Sequence, residues 1–196
     1  MTLLFETPSR SIPITKQMVW DAYRKVKSNK GSAGVDEETL IDFDADLSKN
    51  LYKLWNRLSS GSYFPQPVKA VEIPKGNGGT RTLGIPTIAD RIAQEVVKSY
   101  IEPRLEAVFV PSSYGYRPEK SAHNAIEQVR TNVRDYGWVI DMDIKSFFDE
   151  VDHELLLKAL SKHVTEKWVM LYIKRWLASP VSRNGVLEHK VGKGTL

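Results

Sequence analysis

Apolar residues recur along this chain with two different periods, and the two periods predict a mixture of helices and strands. In several segments they return every three or four positions, as they do on the buried face of an amphipathic helix. Most of these segments follow a Ser, Thr or Asp residue, whose side chain can cap the first turn of a helix. The predicted helices begin after Thr15, near Asp36, after Thr87, after Ser121, after Asp152 and near Trp168. We expect the second of them to run without a break to Gly61.

Two runs rich in β-branched residues, 68–75 and 80–86, flank the sequence Gly-Asn-Gly-Gly at 76–79. Residues of this kind supply the backbone conformations of a tight turn, so the runs predict a β-hairpin. A later run, 186–191, also has the composition of a strand. Because helices precede, separate and follow these strands without a regular βαβ alternation, the pattern predicts a helix-rich α+β fold.

Segment 138–144 has the alternation of a strand with one buried face. Its two faces carry Ile140, Met142 and Ile144, and Val139, Asp141 and Asp143. Two carboxylates side by side repel each other unless a cation lies beside them, so the second face suggests a divalent metal site. A half-buried sheet with one solvated face explains the same spacing. The spacing alone does not decide between these two interpretations.

The composition narrows the class of protein. With 196 residues, of which 41% are hydrophobic, the chain can bury a substantial core. It contains no cysteine, which excludes disulfides, cysteine-ligated zinc sites and thiol nucleophiles. No apolar run approaches the length of a membrane span, and the segment 1–6 is too short and too acidic for a signal peptide. We therefore expect a soluble, cytoplasmic protein with no membrane partner.

The net charge of +4 favours a polyanionic partner, but the basic residues are spread through the chain. Nucleic-acid binding would therefore need cations that the fold gathers on one surface. The exit of the first predicted helix carries four cations and no acid: Arg24, Lys25, Lys27 and Lys30. They are candidates for RNA phosphate contacts, and a solvated helix end that complements the helix dipole is the alternative.

Two further sets of residues are candidates for binding. Lys75 and Arg81 flank the hairpin turn on opposite strands, so the fold brings like charges close together. A triphosphate would neutralise them, whereas a flexible tip would leave them solvated. A later loop interleaves Tyr114 and Tyr116 with Arg117. Such a loop can stack on RNA bases and contact phosphates, although tyrosines beside a glycine also serve packing.

The spacing of Asp42, Asp44 and Asp46 invites a comparison with a calcium-binding loop. An EF-hand loop needs glycine at its sixth position and a bidentate glutamate at its twelfth. This chain has Leu47 and Lys53 there, which excludes an EF-hand. We expect the three carboxylates to lie on the solvated side of a helix.

Five short motifs occur in an order that resembles group II intron-encoded reverse transcriptases. They are 31–36 (Gly-Ser-Ala-Gly-Val-Asp), 73–75 (Ile-Pro-Lys), 81–86 (Arg-Thr-Leu-Gly-Ile-Pro), 113–118 (Ser-Tyr-Gly-Tyr-Arg-Pro) and 143–149 (Asp-Ile-Lys-Ser-Phe-Phe-Asp). Each motif is short, but five in this order with sensible spacing are specific, and they extend over most of the chain. The resemblance implies a bacterial or organellar RNA-directed DNA polymerase with maturase function.

The same resemblance implies a right-hand polymerase fold, with a β-hairpin in the fingers and strands in the palm. Residues 1–60 would form N-terminal extension helices, 61–135 the fingers and 136–196 part of the palm, in one continuous domain. The implied partners are group II intron RNA, an RNA template paired with a DNA primer, and deoxynucleoside triphosphates (dNTPs).

For the palm, the resemblance implies a metal site. Asp143 matches the first metal-binding aspartate of the family, and with the adjacent Ile144 carbonyl it would help to hold two Mg²⁺ ions. The family's other metal carboxylates lie in an aromatic-x-Asp-Asp turn, and this sequence contains no Asp-Asp pair. In addition, Leu196 stands where the family usually has proline. We therefore expect a truncated reverse transcriptase domain that does not polymerise by itself.

The resemblance also implies a binding site for the incoming nucleotide. Lys75 and Arg81 match the cations of the fingers that hold the triphosphate. Phe148 matches the side chain that would clash with a ribose 2′-hydroxyl and so favour deoxynucleotides. Ser146 and Phe147 would offer backbone N–H groups to the phosphates.

Two kinds of alternative stay open. The chain could be a non-catalytic RNA-binding module that assists splicing, in which the N-terminal helices and the fingers hold intron RNA. It could also belong to a retron, diversity-generating or CRISPR-associated reverse transcriptase.

Overall fold

The computed structural model describes residues 12–76, 78–189 and 192–195, and this part of the chain forms helices and a four-stranded sheet. The elements are α1 (Lys16–Ser28), α2 (Leu40–Ala45), α3 (Leu47–Ser60), β1 (Val68–Pro74), β2 (Thr80–Ile85), α4 (Ile88–Glu106), α5 (Ala122–Asp135), α6 (Phe147–Glu150), α7 (His153–Ser161), α8 (Lys167–Leu177), β3 (Val181–Arg183) and β4 (Val186–Glu188). The predicted α+β class is confirmed. No helix in the described ranges is long and apolar enough to cross a membrane.

Four of the predicted helix starts are confirmed by their caps. The side chains of Thr15, Thr87, Ser121 and Asp152 each accept a hydrogen bond from the backbone N–H three residues later. These bonds satisfy N–H groups that the first turn of a helix leaves without a partner. The caps are local in sequence, which is why the sequence alone locates them.

The predicted helix from Asp36 to Gly61 is wrong in two respects. It begins at Leu40, because Thr39 and Asp42 form a capping box in which each side chain accepts from the other residue's backbone N–H. It is then interrupted at Asp46, whose backbone (φ −118°, ψ 35°) separates α2 from α3. The carboxylate of Asp42 caps the start of this helix and, as expected, lies on its solvated side.

The hydrophobic core lies between α1, α3, α4 and α8. It includes residues with no more than 2% of their surface exposed, among them Val19, Leu58, Ile92, Val96, Val169 and Tyr172. Full burial of such a side chain contributes about 1.5–3 kcal/mol to stability. The hydroxyl of Tyr172 donates to the Leu58 carbonyl at 2.5 Å, so the buried polar atom of this ring has a partner.

The loop between α1 and α2 packs against the start of α4. A Cβ atom on Gly34 would lie 2.7 Å from the backbone of Thr87, so this position requires glycine. Arg91 extends back over the same loop and donates from Nη2 to the Ser32 carbonyl at 2.6 Å. The Gly-Ser-Ala-Gly motif therefore serves a close approach of two backbones.

The sheet has the strand order β2-β1-β3-β4. The predicted hairpin is confirmed as the antiparallel pair β1 and β2, although Asn77 of its turn lies outside the described residues. β3 joins β1 in parallel, with Val68 opposite Val181, and pairs with β4 in a second hairpin. The predicted strand at 186–191 is confirmed for 186–188, while 190 and 191 lie outside the described residues.

The predicted strand at 138–144 is wrong. The segment is irregular, and Trp138, Ile140 and Met142 are each more than 80% exposed. A strand needs a neighbouring strand for its backbone hydrogen bonds and a packed layer for its apolar face. The four-stranded sheet does not include this segment, and its alternating pattern therefore has nothing to pack against in the described structure.

Candidate functional site

The tip of the β1–β2 hairpin carries two cations on one face of the sheet. The register places Arg81 opposite Ile73, and Lys75 donates from its backbone to Gly79 at 2.6 Å. Because side chains alternate along a strand, Ile73, Lys75 and Arg81 share a face. Both cations are exposed, and neither has an acidic partner among the described residues. The structure thus brings together the two hairpin cations that the sequence singled out, on a face suited to an anion.

The opposite face of the same sheet is neutralised internally. Arg183 on β3 binds Glu72 on β1 at 3.0 Å and Glu188 on β4 at 3.3 Å. These pairs link three strands and leave no net positive charge at that point. Strand β3 was not predicted, although Asn184 and Gly185 are a sequence signal for the turn that follows it. Their φ angles of 51° and 83° are those of the tight turns that Asn-Gly pairs favour.

The root of the hairpin is fixed to the helical core by a buried carboxylate. Asp90 is 2% exposed and accepts hydrogen bonds from the hydroxyl of Tyr63, from Thr87 Oγ1 at 2.7 Å and from the Gln66 backbone at 3.2 Å. Gln66 lies just before β1 and Thr87 just after β2, so one side chain holds both ends of the hairpin. Burial raises the pKa of Asp90. No sequence motif pointed to Asp90, because its partners Tyr63 and Gln66 come from other segments of the chain.

A second anchor comes from α8. Arg175 donates to the carbonyls of Gly61 and Tyr63 at 2.8 and 2.5 Å, and its guanidinium lies 3.8 Å from the ring centroid of Phe64. The strand that follows is held by a hydrogen bond from Val68 N to Pro180 O at 2.9 Å. The hairpin therefore projects from a fixed base, with its two cations at the free end.

The segment that carries Asp143 is solvent-exposed. Asp143 lies in irregular backbone, and Ile144 is 70% exposed. Ser146 adopts a left-handed conformation (φ 53°) at the start of the one-turn helix α6. The rings of Phe147 and Phe148 meet edge to face, with centroids 5.4 Å apart, and remain about half exposed.

Segment 192–195 connects α6 to the root of the hairpin. Thr195 N donates to Phe148 O at 2.7 Å, and Gly194 N donates to Val151 O at 2.9 Å. Both residues also line a cleft of about 190 Å³ with Val68 and Pro86. Lys75 lies seven positions along β1 from Val68, a path of about 23 Å in an extended strand. The described contacts thus bring Phe148 towards the root of the hairpin and leave Lys75 and Arg81 at its far end.

The donor atoms near Asp143 fit Mg²⁺ in type but not in number. The Asp143 carboxylate and the Ile144 carbonyl are hard oxygen donors, which Mg²⁺ prefers. Within the described ranges, however, no three His, Cys, Asp or Glu side chains come together as a metal-binding group. This part of the chain does not contain a complete centre for two metal ions.

Two of the four cations predicted on α1 are paired with acids from other elements. Lys25 binds Glu95 on α4 at 3.0 Å, and Lys27 binds Asp44 on α2 at 2.7 Å. The Lys27 ammonium lowers the pKa of Asp44, and the Tyr23 hydroxyl acts in the same direction. Sequence inspection found no acid nearby because these partners are distant along the chain, and Asp44 is therefore not merely solvated. Arg24 and Lys30 are exposed, with no acidic partner among the residues described.

Arg117 in the aromatic loop is engaged internally. Its guanidinium binds Glu106 at 2.5 Å and the carbonyls of Val110 and Ser113 at 2.7 and 2.9 Å, and its side chain is 8% exposed. The guanidinium lowers the pKa of Glu106. Tyr116 in the same loop is 96% exposed. Tyr114 is half-buried, with Lys120 Nζ 5.0 Å from its ring centroid.

A family model described as reverse transcriptase (RNA-dependent DNA polymerase) matches residues 73–195. Protein YkfC of Escherichia coli (strain K12) is 40% identical over 166 residues, which is 80% of this chain and 44% of YkfC. The group II intron-encoded protein LtrA of Lactococcus lactis subsp. cremoris is 33% identical over 177 residues, which is 89% of this chain and 29% of LtrA. The chain thus spans less than half the length of these relatives. The resemblance to group II intron-encoded proteins is confirmed.

Among solved structures, a partial Cas6–RT–Cas1–Cas2 complex matches with a TM-score of 0.59. The match covers 92% of this chain and 30% of the matched chain, at 21% identity. At this level of identity, the likeness concerns the fold alone.

Proposed function

The chain belongs to the reverse transcriptase (RNA-dependent DNA polymerase) family, and from this premise we propose that it is the fingers and the first part of the palm of a group II intron-type RNA-directed DNA polymerase. The observation that carries the proposal is the family match from residue 73 to residue 195, which includes both the hairpin cations and Asp143. The substrates would be an RNA template paired with a DNA primer, and dNTPs. Residues 61–135 would be the fingers, 136–196 the partial palm and 1–60 an N-terminal extension.

In this proposal, the hairpin tip binds the triphosphate of the incoming nucleotide. Lys75 and Arg81 lie on one face of the sheet without acidic partners in the described structure, so an anion between them removes their mutual repulsion. Hydrogen bonds from cations to phosphate oxygens are about twice as strong as neutral ones. The anchors at Asp90 and Arg175 hold the base of the hairpin while its tip meets the nucleotide.

The partial palm would supply the remaining contacts to the nucleotide once the tip of the hairpin, which lies about 23 Å along the strand from its root, moves towards Phe148. Asp143 and the Ile144 carbonyl would be ligands of Mg²⁺, which provides electrostatic stabilisation of phosphoryl transfer when it is bound. Phe148 would exclude a 2′-hydroxyl, and Ser146 and Phe147 would offer backbone N–H groups to phosphate oxygens. Because this sequence contains no Asp-Asp pair, further carboxylates are needed for a complete metal centre.

RNA binding is the second candidate function. Arg24 and Lys30 at the end of α1 and the ring of Tyr116 are exposed and available to an RNA strand. Lys25, Lys27, Tyr114 and Arg117 already have internal contacts and would add to the interface at its edge. Assistance to splicing through RNA binding would not need the metal centre. A module that only binds RNA and the reverse transcriptase of a CRISPR-associated complex are both compatible with the same residues.

The experiment compares two activities of the purified 196-residue chain. We expect it to bind a structured intron RNA but to extend no primer, because one catalytic carboxylate does not hold two metal ions. RNA affinity should fall as salt rises, since cations that bind phosphates release counterions from the RNA. Measurable primer extension would contradict the view that this chain holds only part of the metal centre. The absence of detectable RNA binding, or an affinity that does not change with salt, would contradict RNA binding through phosphate contacts.

A further inference from the structure

Helices α1 and α3 leave an aromatic groove between them on the outer side of the core. Each helix contributes residues at the spacing of one helical face: Lys16, Gln17, Val19 and Trp20 from α1, and Ser48, Leu51, Tyr52 and Trp55 from α3. The groove encloses about 370 Å³, which is within the range of about 300–1,000 Å³ that is typical of ligand sites. We call these eight residues the α1–α3 groove.

One ring of this groove is held in place by a hydrogen bond, and two others are partly exposed. Trp55 Nε1 donates to the Ile14 carbonyl at 2.9 Å, which fixes that ring. Trp20 and Tyr52 are 41% and 55% exposed. The ammonium of Lys16 lies 5.3 Å from the Tyr52 ring centroid and 4.7 Å from that of Trp55. Ordered aromatic rings beside a cation form a surface on which a further flat ring can stack.

The charges around the groove favour an anionic ligand. Of the eight groove residues, only Lys16 is ionised at neutral pH, and it is a cation. On α1, Arg24 follows Trp20 by one helical turn, and the nearby Asp21 accepts a hydrogen bond from Gln17 at 3.0 Å. A second copy of the chain would bring the same positive surface against itself, which like-charge repulsion disfavours.

We propose that the α1–α3 groove binds an unpaired nucleobase of RNA. The base stacks on Trp20 and Tyr52, and Lys16 and Arg24 contact the phosphates on either side. Stacking accepts any base because every base has a flat π face, so the site selects single-stranded RNA over duplex rather than one sequence. The site rests on the proposed RNA-binding function and adds residues that none of the motifs includes.

The test measures binding of the purified chain to a fluorescent single-stranded RNA and to a blunt RNA duplex of the same length. Tyr52→Ala and Trp20→Ala should each weaken binding to the single strand by about 5- to 150-fold, the range of one lost stacking contact. Tyr52→Phe should bind like wild type, because its ring is kept. Ile41→Ala is the matched control, since Ile41 is 82% exposed on α2 and outside the groove.

The salt dependence separates stacking from charge. Tyr52→Ala should lower the affinity at every salt concentration without changing the slope of log affinity against log salt. Arg24→Ala should reduce that slope, because one phosphate contact is lost. A Tyr52→Ala variant with wild-type affinity, or one with an equal loss for duplex, would overturn the groove site.

Two further outcomes are distinguishable. If the wild-type chain binds neither RNA, the RNA-binding function itself is overturned, and the groove site with it. If wild type binds RNA, and Trp20→Ala and Tyr52→Ala change only the molar mass measured by light scattering, the groove is a protein contact and the nucleobase proposal is overturned. Circular dichroism of each variant shows whether it remains folded, and Tyr52, as the more exposed ring, is the safer of the two substitutions.

Discussion

At the scale of single residues, two carboxylates that each bind a tyrosine hydroxyl have pKa shifts in opposite directions. Asp90 is almost fully buried, and burial raises its pKa. Asp44 lies beside the ammonium of Lys27, which lowers its pKa. The same type of hydrogen bond therefore accompanies a raised pKa at Asp90 and a lowered pKa at Asp44. Desolvation causes the first shift, and the neighbouring cation causes the second.

These shifts predict opposite effects of pH on stability. The stability that Asp90 contributes is fully present below its unfolded-state pKa of about 3.8 and is lost as pH rises through its raised folded-state pKa. The contribution of Asp44 is present above about 3.8 and is lost as pH falls through its lowered pKa. We expect the difference in unfolding free energy between wild type and Asp90→Asn to fall as pH rises. The difference between wild type and Asp44→Asn should rise over the same range. Urea denaturation at a series of pH values checks this, and two slopes of the same sign would contradict it.

Arg81 provides a test of the hairpin tip. In a full-length protein that carries this chain, Arg81→Ala should lower kcat/KM for the nucleotide by about 10- to 100-fold, because a charge-assisted phosphate contact is lost. Primer extension at varied dNTP concentration measures this. Lys162→Ala, which removes an exposed cation at the end of α7, is the control and should change nothing. Unchanged kinetics for both Lys75→Ala and Arg81→Ala would remove the tip from the nucleotide site.

At the scale of secondary structure, local signals were sufficient for most helices and for the first hairpin. Caps such as Thr87 and turns rich in glycine and asparagine act within a few residues, so the sequence contains them completely. The start of α2 at Leu40 follows from the capping box of Thr39 and Asp42, and the backbone of Asp46 interrupts a continuous apolar stripe. The strand predicted at 138–144 was wrong because pairing is a tertiary property. An alternating pattern shows that a segment can form a strand, but not that a partner is present.

In the candidate site, too, the sequence reveals local relations but not contacts between distant segments. The sequence located Lys75 and Arg81 because a short turn between them determines that they lie close together. It missed Asp90, whose partners Tyr63 and Gln66 are more than twenty positions away, and it gave no sign that Glu95 neutralises Lys25. Contacts between distant segments decide which charges are available to a ligand.

Helix α5 has an apolar stripe typical of a buried helix, but this stripe is exposed. Its apolar stripe includes Ile126, Val129 and Val133, and each of these side chains is more than half exposed. Val129→Ala should therefore change the unfolding free energy by less than about 0.5 kcal/mol. Ile92→Ala, at a fully buried position of α4, should lower it by about 2–5 kcal/mol. Urea denaturation of the two variants measures the contrast, and similar losses would contradict the exposure of α5.

At the scale of the whole molecule, one helical core unites the three stretches that the sequence suggested. Residues from α1 and α3, from α4, and from α8 share that core, so the stretches proposed as extension, fingers and partial palm have one common interior. The two faces of the sheet differ in charge. Lys75 and Arg81 on one face have no acidic partner among the described residues, and the other face carries the Glu72–Arg183–Glu188 pairs. The segment 138–150, in contrast, is exposed at every position. The helical core thus carries a cationic hairpin. The acidic segment 138–150 is accessible to solvent.

The most direct test of the central claim is primer extension by Asp143→Asn in a full-length protein that carries this chain, with Asp141→Asn as the matched neighbour. Asparagine keeps the shape of the side chain but removes the charge that a hard cation requires, so Asp143→Asn should lose extension by about 1,000-fold or more. Its thermal midpoint and RNA affinity should equal those of wild type, because Asp143 is exposed. Asp141→Asn should remain active. Primer extension that persists in Asp143→Asn would contradict the assignment of Asp143 to the metal site, and with it the proposed polymerase function.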